Sequence, residues 1–196
     1  MNPPFEASCY YHFYNRGNNK EKIFFSEENY NYFLKLVEKY LLQISDIYSY
    51  CLLPNHFHFV LRIKAYEDLS DNIKEGKTKL HQPISNLFNA YTKAINKKYS
   101  RTGSLFQKHP KRIKIENEDY LKNLIIYVNT NSSNHSLEDF RKYKYSSYHS
   151  LMDKNLTFLK RNDVIELFES NENFKYCLNN KKINIELIKN CIQDDN

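Results

Sequence analysis

Cysteine is scarce in this sequence, and tryptophan is absent. The four cysteines, Cys9, Cys51, Cys177 and Cys191, lie far apart, and no two of them form a Cys-x-x-Cys pair. This spacing fits neither a disulfide framework nor a zinc ribbon, so we expect reduced, partly buried thiols. Tyrosine, by contrast, occurs 17 times. Base composition of the gene explains such abundance as readily as function does, so the count alone assigns no tyrosine a role.

Long apolar runs are missing as well. No run approaches the roughly 18–20 residues that a membrane span needs. The first residues, Met1 to Glu6, do not join a basic region to an apolar stretch as a secretory signal does. The sequence also lacks an internal repeat, a low-complexity linker and a phosphate-binding P-loop. We therefore expect a cytoplasmic protein without a membrane partner.

Length and charge fit one globular domain with an anionic partner. A chain of 196 residues that is 41% hydrophobic can form one core with a short appendage, but it is short for two full domains. The net charge of +6 and the isoelectric point near 8.9 favour nucleic acid or a membrane surface as partner without requiring either.

The spacing of apolar residues predicts alternating strands and helices. We predict strands from Cys9 to Tyr14, Ile47 to Leu53, His56 to Ile63 and Arg112 to Ile115, and helices from Glu27 to Leu42, Pro83 to Tyr99, Asn117 to Asn131, Asp163 to Ser170 and Asn184 to Gln193. The charged stretch from Lys64 to Lys79 is predicted as a loop with a poorly packed segment. This order indicates an α+β fold, with one antiparallel sheet, helices packed mainly on one face, and the other face open to a ligand.

Two histidines stand on the third predicted strand. Residues i and i+2 of a strand point to the same face, with Cα atoms roughly 6.5–7 Å apart, so His56 and His58 project side by side and could share one cation. Phe57 between them points to the opposite face. A His-x-His pair by itself is equally compatible with two polar residues on an exposed strand face.

Four short stretches, spread over about residues 8 to 150, form an ordered set of motifs. They are Tyr50 to Leu61 with Pro-Asn-His-Phe-His at its centre; Asn15 to Asn19 followed by Ile23 to Phe25; Ser85 to Tyr91 continuing to Arg101 to Gln107; and Tyr127 to Asn131 with Tyr143 to Tyr148 behind it. Together they resemble the HUH single-tyrosine transposases, in particular the REP-associated tyrosine transposase-like group.

The resemblance implies a ferredoxin-like or RRM-like domain that cuts and rejoins single-stranded, hairpin-containing DNA through a 5′-phosphotyrosine. It places the nucleophile at Tyr127 and a divalent metal ion, Mg²⁺ or Mn²⁺, on His56, His58 and Asn131. We assign residues 1–150 to this domain. Residues 151–196 lie outside the resemblance, and we expect them to form a helical extension that either packs on the core or mediates a homodimer. DNA binding would associate the protein with the nucleoid.

The predicted third helix offers an independent argument for Tyr127. Apolar residues of this helix fall on one stripe, whereas Tyr127 and Asn131 lie four residues apart on a neighbouring strip and can address one site together. The alternative is a helix tyrosine that packs its ring and exposes its hydroxyl. Tyr120, Tyr91 and Tyr99 are the other candidate nucleophiles.

Basic residues near the first turn, on the second helix and in the segment after it are candidate phosphate contacts. The nucleic-acid-binding candidates are Arg16, Asn18, Lys93, Lys97, Arg101, Lys108, Lys111, Arg112 and Lys114. Interleaved aromatic residues could stack on unpaired bases, namely Tyr91, Tyr99 and Phe106. The alternative is a solvated basic face over buried aromatic rings.

The chain departs from the family pattern in three places. Asn131-Ser132 stands where Asn-Pro is common, Asn129 where a histidine is common, and His109-Pro110 where a basic-aromatic pair is more usual. These changes bear on the helix end and DNA specificity more than on the chemistry. Besides an active strand transferase, a domesticated protein that binds DNA hairpins without cutting them fits the sequence. A replication initiator or relaxase fits less well because no helicase segment is present.

Overall fold

The fold is built on a four-stranded antiparallel sheet. The computed structural model describes residues 4–181, 183, 184, 186, 188 and 189. The strands are β1 (Tyr10–Arg16), β2 (Ser45–Leu53), β3 (His56–Ile63) and β4 (Lys111–Ile115), in the order β2-β3-β1-β4. With a helical crossover after β1 and another after β3, this is the ferredoxin-like arrangement that the family resemblance implied. The α+β prediction is confirmed.

The helices predicted to begin near Glu27, Pro83, Asn117 and Asp163 are present in that order, together with three helices that were not predicted. They are α1 (Glu27–Tyr40), the four-residue α2 (Asp71–Lys74), α3 (Gln82–Lys98), α4 (Glu118–Asn134), α5 (Tyr148–Met152), α6 (Arg161–Leu167) and α7 (Asn171–Asn179). Local chemistry fixes where they begin. At α1 the Asn29 side chain accepts from the backbone N–H groups of Phe25 and Ser26, and at α4 Asn117 accepts from the N–H of Tyr120.

The two faces of the sheet differ in chemistry because alternate residues of a strand point in opposite directions. One face carries Phe13, Phe57 and Phe59, and the rings of Phe33 from α1 and Phe88 from α3 pack on it. The other face carries the residues that alternate with them and is here called the histidine face: Tyr10, His12, Tyr14, Arg16, His56, His58, Val60 and Arg62.

The histidine face is not open over its whole width, contrary to the expectation from the sequence. Helices α1 and α3 cover the phenylalanine face, but α4 packs on the histidine face over β2 and β3. Leu121, Leu124, Ile125 and Val128 of α4 are buried, as their spacing predicted. The expectation of an open face was wrong because the apolar stripe of α4 shows that the helix packs against the sheet. The stripe does not show which face of the sheet the helix covers.

The tail packs on the core as far as the structure describes it. Helix α6 contacts β2, and α7 contacts α4. Helix α7 was not predicted because its sequence is rich in asparagine; the Ser170 side chain caps it, and Phe174 and Leu178, one turn apart, are buried. The helix predicted from Asn184 to Gln193 lies mostly outside the described residues.

Two expectations from composition concern thiols and membrane spans. Cys9, Cys51 and Cys177 form no disulfide in the described part of the chain, and Cys191 lies outside the described residues. Among the described helices, none is both long enough and apolar enough to pass through a bilayer.

Buried phenols make the fold sensitive to high pH. Burial raises the pKa of Tyr50 to about 12 and also raises the pKa of Tyr91 and Tyr143. A pKa above the unfolded value of ~10 means that the neutral phenol stabilises the fold fully below pH ~10. That stabilisation is lost as pH rises from ~10 through about 12.

We therefore expect the urea midpoint to fall steeply between about pH 10 and pH 12. Tyrosinate absorbance near 295 nm should rise together with unfolding, because these phenols ionise only when exposed. Tyr50→Phe should flatten the pH dependence, whereas Tyr66→Phe, at an exposed ring, should not. A constant midpoint over this range would contradict the prediction.

Candidate active site on the histidine face

A clamped turn sets the position of His56. Between β2 and β3, the Pro54 carbonyl accepts from the N–H of Ile23, and the Asn55 carbonyl accepts from the N–H of Gly17 at 2.8 Å. Gly17 is required there because a Cβ atom at this position would lie 2.1 Å from the carbonyl oxygen of Glu21. Two of the motifs noted in the sequence, around Gly17 and around His56, are therefore parts of one structure.

His56 and His58 do lie side by side, as their spacing predicted. Their ring centroids are 5.1 Å apart, with the ring planes nearly perpendicular. The alternative of two polar residues on an exposed face is wrong, because His56 is 5% exposed and His58 is fully buried.

One nitrogen of each ring is held by a neighbouring side chain. Nδ1 of His56 lies 2.7 Å from Oδ1 of Asn55, and Nδ1 of His58 lies 2.9 Å from Nε2 of His12. The Asn55 amide is oriented by its Nδ2, which donates to the Lys20 carbonyl, so its oxygen accepts from His56. Since Nδ1 is engaged in both rings, Nε2 is the atom through which either ring would bind a metal ion.

Helix α4 brings the two other predicted residues to this pair. The ring of Tyr127 lies 6.3 Å from that of His58, edge to face, and two turns later the ring of His135 lies 4.9 Å from that of His56. Asn131 is four residues from each, on the same strip of the helix. It therefore sits between the two contacts, over the histidine pair.

Asn131 has the character expected of a metal ligand. Its side chain is fully buried, and neither its Oδ1 nor its Nδ2 hydrogen-bonds to any residue in the described part of the chain. A buried amide without hydrogen bonds costs about 1–3 kcal/mol, and coordination to a cation would satisfy its oxygen. Over the described ranges, no three His, Cys, Asp or Glu side chains are arranged to share a metal ion. Two imidazoles and one amide oxygen are the donor set that fits.

Sequence reasoning missed two histidines of the site. His12 lies on β1 and belongs to the same face as His58, but only the β1–β3 register reveals this. His135 follows the last residue of α4, which runs three residues beyond the predicted end at Asn131. Ser132 stands where the family commonly has proline, and unlike proline it leaves the helix hydrogen bonding intact. A helix continued through Ser132 would have placed His135 on the strip of Tyr127 and Asn131.

Asn129 stands where the family commonly has a histidine, and its hydrogen bonds are not to the candidate site residues. Asn129 is buried; its amide nitrogen donates to the Ile125 carbonyl, and its oxygen accepts from the Ser147 hydroxyl at 2.7 Å. Ser147 in turn accepts from the backbone N–H of Tyr50. This chain of hydrogen bonds fastens the middle of α4 to β2.

Three of the basic candidates meet in one groove. Lys108, Lys111 and Arg112 line a cavity of about 770 Å³ between the start of β4 and the start of α3, with Phe13 and Phe88 also on its walls. No carboxylate is among the described residues that line it. The groove lies at the β4 edge, on the phenylalanine side of the sheet, while Lys111 alternates onto the histidine face.

The remaining candidates are spread over other surfaces. Arg16 lies opposite His56 in the β1–β3 ladder, and Lys93 and Lys97 are exposed on α3 outside the groove. Three candidates make structural contacts: Asn18 donates to the Ser104 carbonyl, Arg101 pairs with Glu21, and Lys114 pairs with Glu6.

The expected base stacking by Tyr91 and Phe106 is wrong. Both rings are buried in the core, where Tyr91 donates to the Ile23 carbonyl. Burial also removes Tyr91 as a candidate nucleophile. Tyr99 is half-buried, and its hydroxyl donates to Asn29. Tyr91 is a core residue although lysines flank it in the sequence, because α3 has one buried side and one basic side.

Comparison with known proteins agrees with this fold. A solved structure described as the REP-associated tyrosine transposase bound to a REP hairpin superimposes with a TM-score of 0.58 over 80% of this chain and 87% of that one, at 13% identity. No curated protein sequence matches. The family profile described as "Transposase IS200 like" matches residues 6–131, the part that contains all four strands, His56, His58, Tyr127 and Asn131. The chain therefore belongs to the IS200-like transposase family.

Proposed function

We propose that this protein cuts and rejoins single-stranded, hairpin-containing DNA in the cytoplasm, with Tyr127 as nucleophile and a Mg²⁺ or Mn²⁺ ion held by His56, His58 and Asn131. The observation that carries the proposal is the placement of Tyr127 beside His58, with Asn131 one turn along the same helix. Family membership supports the transposase role, and the hairpin bound by the similar structure suggests the kind of substrate.

The reaction is a transesterification at phosphorus. The Tyr127 hydroxyl oxygen bonds to the phosphorus of a phosphodiester and gives up its proton, while the bond from phosphorus to the 3′ oxygen breaks and that oxygen leaves as a 3′-hydroxyl. When bound, the metal ion would polarise the phosphoryl group and stabilise the charge of the transition state. Attack by a 3′-hydroxyl on the phosphotyrosine reverses the step and reseals the strand without a nucleotide cofactor.

A hairpin-binding protein that no longer cuts DNA is the second candidate. The observation that favours it is the closure of the site: Tyr127 is 5% exposed, and His58 and Asn131 are fully buried. A phosphodiester cannot reach Tyr127 in this arrangement.

An adduct assay separates the two candidates. We expect a hairpin oligonucleotide with a labelled 3′ end to become covalently attached in the presence of Mn²⁺, because the 5′-phosphate stays on the protein. Tyr127→Phe should abolish the adduct. Tyr120→Phe, on the same helix, is the matched control and should retain it. Mass spectrometry of the labelled peptide should identify Tyr127.

Two results of this assay would contradict the proposal. An adduct that persists in Tyr127→Phe would assign the nucleophile elsewhere. Tight hairpin binding without any adduct in the wild-type protein would favour the second candidate.

The basic groove provides a test of DNA binding that does not depend on cutting. We expect replacement of Lys108, Lys111 and Arg112 by alanine to weaken hairpin binding and to lower the slope of log K against log salt by about 0.7–0.9 per phosphate contact removed. The charge-matched control replaces Lys35, Lys154 and Lys175, exposed lysines that do not line the groove. Equal losses in both triple variants would mean that only net charge matters and that the groove is not the binding surface.

A further inference from the structure

His12 is a buried histidine that the proposed reaction does not use. It lies at the centre of β1, opposite Val60 of β3 and Ile113 of β4, and it is fully buried. Its Nε2 atom is 2.9 Å from Nδ1 of His58, and the two rings are nearly parallel. The ring of Tyr14 is stacked with both imidazoles, with its centroid 4.5 Å from that of His12 and 5.7 Å from that of His58. The imidazole of His12 is therefore fixed in place and cannot reach DNA.

We propose that His12 is a positioning residue whose Nε2 accepts a hydrogen bond from the Nδ1–H of His58 and thereby holds His58 in the tautomer that presents Nε2 to the metal ion. The inference rests on the proposed function for the identity of His58 as a ligand. The inference concerns which nitrogen of His58 carries the proton, and this can be measured in the metal-free protein.

Proton accounting selects the direction of the hydrogen bond. A neutral imidazole has one N–H, and the short distance between the two rings requires one proton between them. If His12 donated, neutral His58 would carry its own proton on Nε2, and that proton would block metal binding. If His58 donates from Nδ1, its Nε2 lone pair is available and His12 carries its proton on Nδ1.

His56 also has an acceptor at its Nδ1, and that acceptor is Asn55. Nδ1 of His56 donates to the Asn55 amide oxygen, so both rings of the pair have an acceptor that fixes them in the same tautomer. Metal-binding histidines generally donate their second nitrogen to a fixed acceptor, and loss of that acceptor typically weakens metal binding by about 10–100-fold. In this chain the acceptor for His58 is a second imidazole.

Substitutions at position 12 can distinguish the role of His12 as a hydrogen-bond acceptor from its role in packing. His12→Leu fills a similar volume without an acceptor. His12→Gln places an amide oxygen near the position of Nε2 and retains the acceptor. A purely structural role predicts that leucine is tolerated as well as or better than glutamine, because the site is buried; the positioning role predicts the opposite for metal binding.

The experiment measures the tautomer and the metal affinity directly. Two-bond ¹H–¹⁵N correlation spectra of the metal-free wild-type protein, with the His58 signal assigned by its loss in His58→Asn, should show His58 protonated at Nδ1. In His12→Leu the signal should change to the Nε2–H pattern. Mn²⁺ affinity, measured by electron paramagnetic resonance of the free ion, should fall at least about tenfold in His12→Leu and stay within about threefold of wild type in His12→Gln.

Three results would overturn the inference. They are His58 protonated at Nε2 in the wild-type protein, unchanged Mn²⁺ affinity in His12→Leu, or an equal loss in His12→Gln. The wild-type spectrum needs no variant, so it decides the matter even if His12→Leu fails to fold. Hairpin affinity without metal should be unchanged throughout. Neither readout requires strand cutting, so failure of the Tyr127 adduct assay would leave this test intact.

Discussion

The pairing of β1 with β3 is the constraint on which the rest of the structure depends. The phenylalanines of both strands lie on one face and the histidines on the other, because the antiparallel register aligns the alternation of the two strands. Phe13 and Phe57 consequently meet in the core beneath α1 and α3, while His12, Tyr14, His56 and His58 meet on the opposite face. A slip of one residue would reverse every side chain of one strand and would bury the histidines among the phenylalanines. The same packing that stabilises the core therefore also fixes the candidate site.

Helix α4 completes the site because it is fastened at its middle. The hydrogen bonds from Asn129 through Ser147 to the backbone of Tyr50 tie it to β2, and its apolar stripe packs beside them. From that anchor the helix extends in both directions over β3, so that Tyr127 contacts His58 and His135 contacts His56. Asn129 thus contributes to the site without touching it. A histidine at this position, common in the family pattern, would have to make this connection in a different way.

The sequence was sufficient for features that depend on local spacing and insufficient for those that depend on register. The His-x-His pair on one strand face and the Tyr127–Asn131 strip both follow from the periodicity of their own element. His12 was overlooked because its partner lies 46 residues away and only the β1–β3 ladder brings them together. The basic candidates divided because sequence spacing did not show which of them share a surface: Lys108, Lys111 and Arg112 line one groove, whereas Lys93 and Lys97 lie outside it. The prediction for Tyr91 was wrong because burial depends on which side of α3 faces the core, and Phe106, which follows that helix, packs on the same core.

If Tyr127 acts on a DNA strand as proposed, the closure of the site requires part of the structure to move. His56 and His58 belong to β3, which is hydrogen-bonded to strands on both sides, whereas α4 contacts the sheet through side chains and the Asn129 link. Separating strands would break several backbone hydrogen bonds and expose a core of phenylalanines, while displacing α4 near Tyr127 would break side-chain packing and the single link through Asn129. Access to Tyr127 therefore comes at lower free-energy cost from α4 than from the sheet. The histidine pair, held through His12 and Asn55, would keep its geometry while the helix that carries the nucleophile moved.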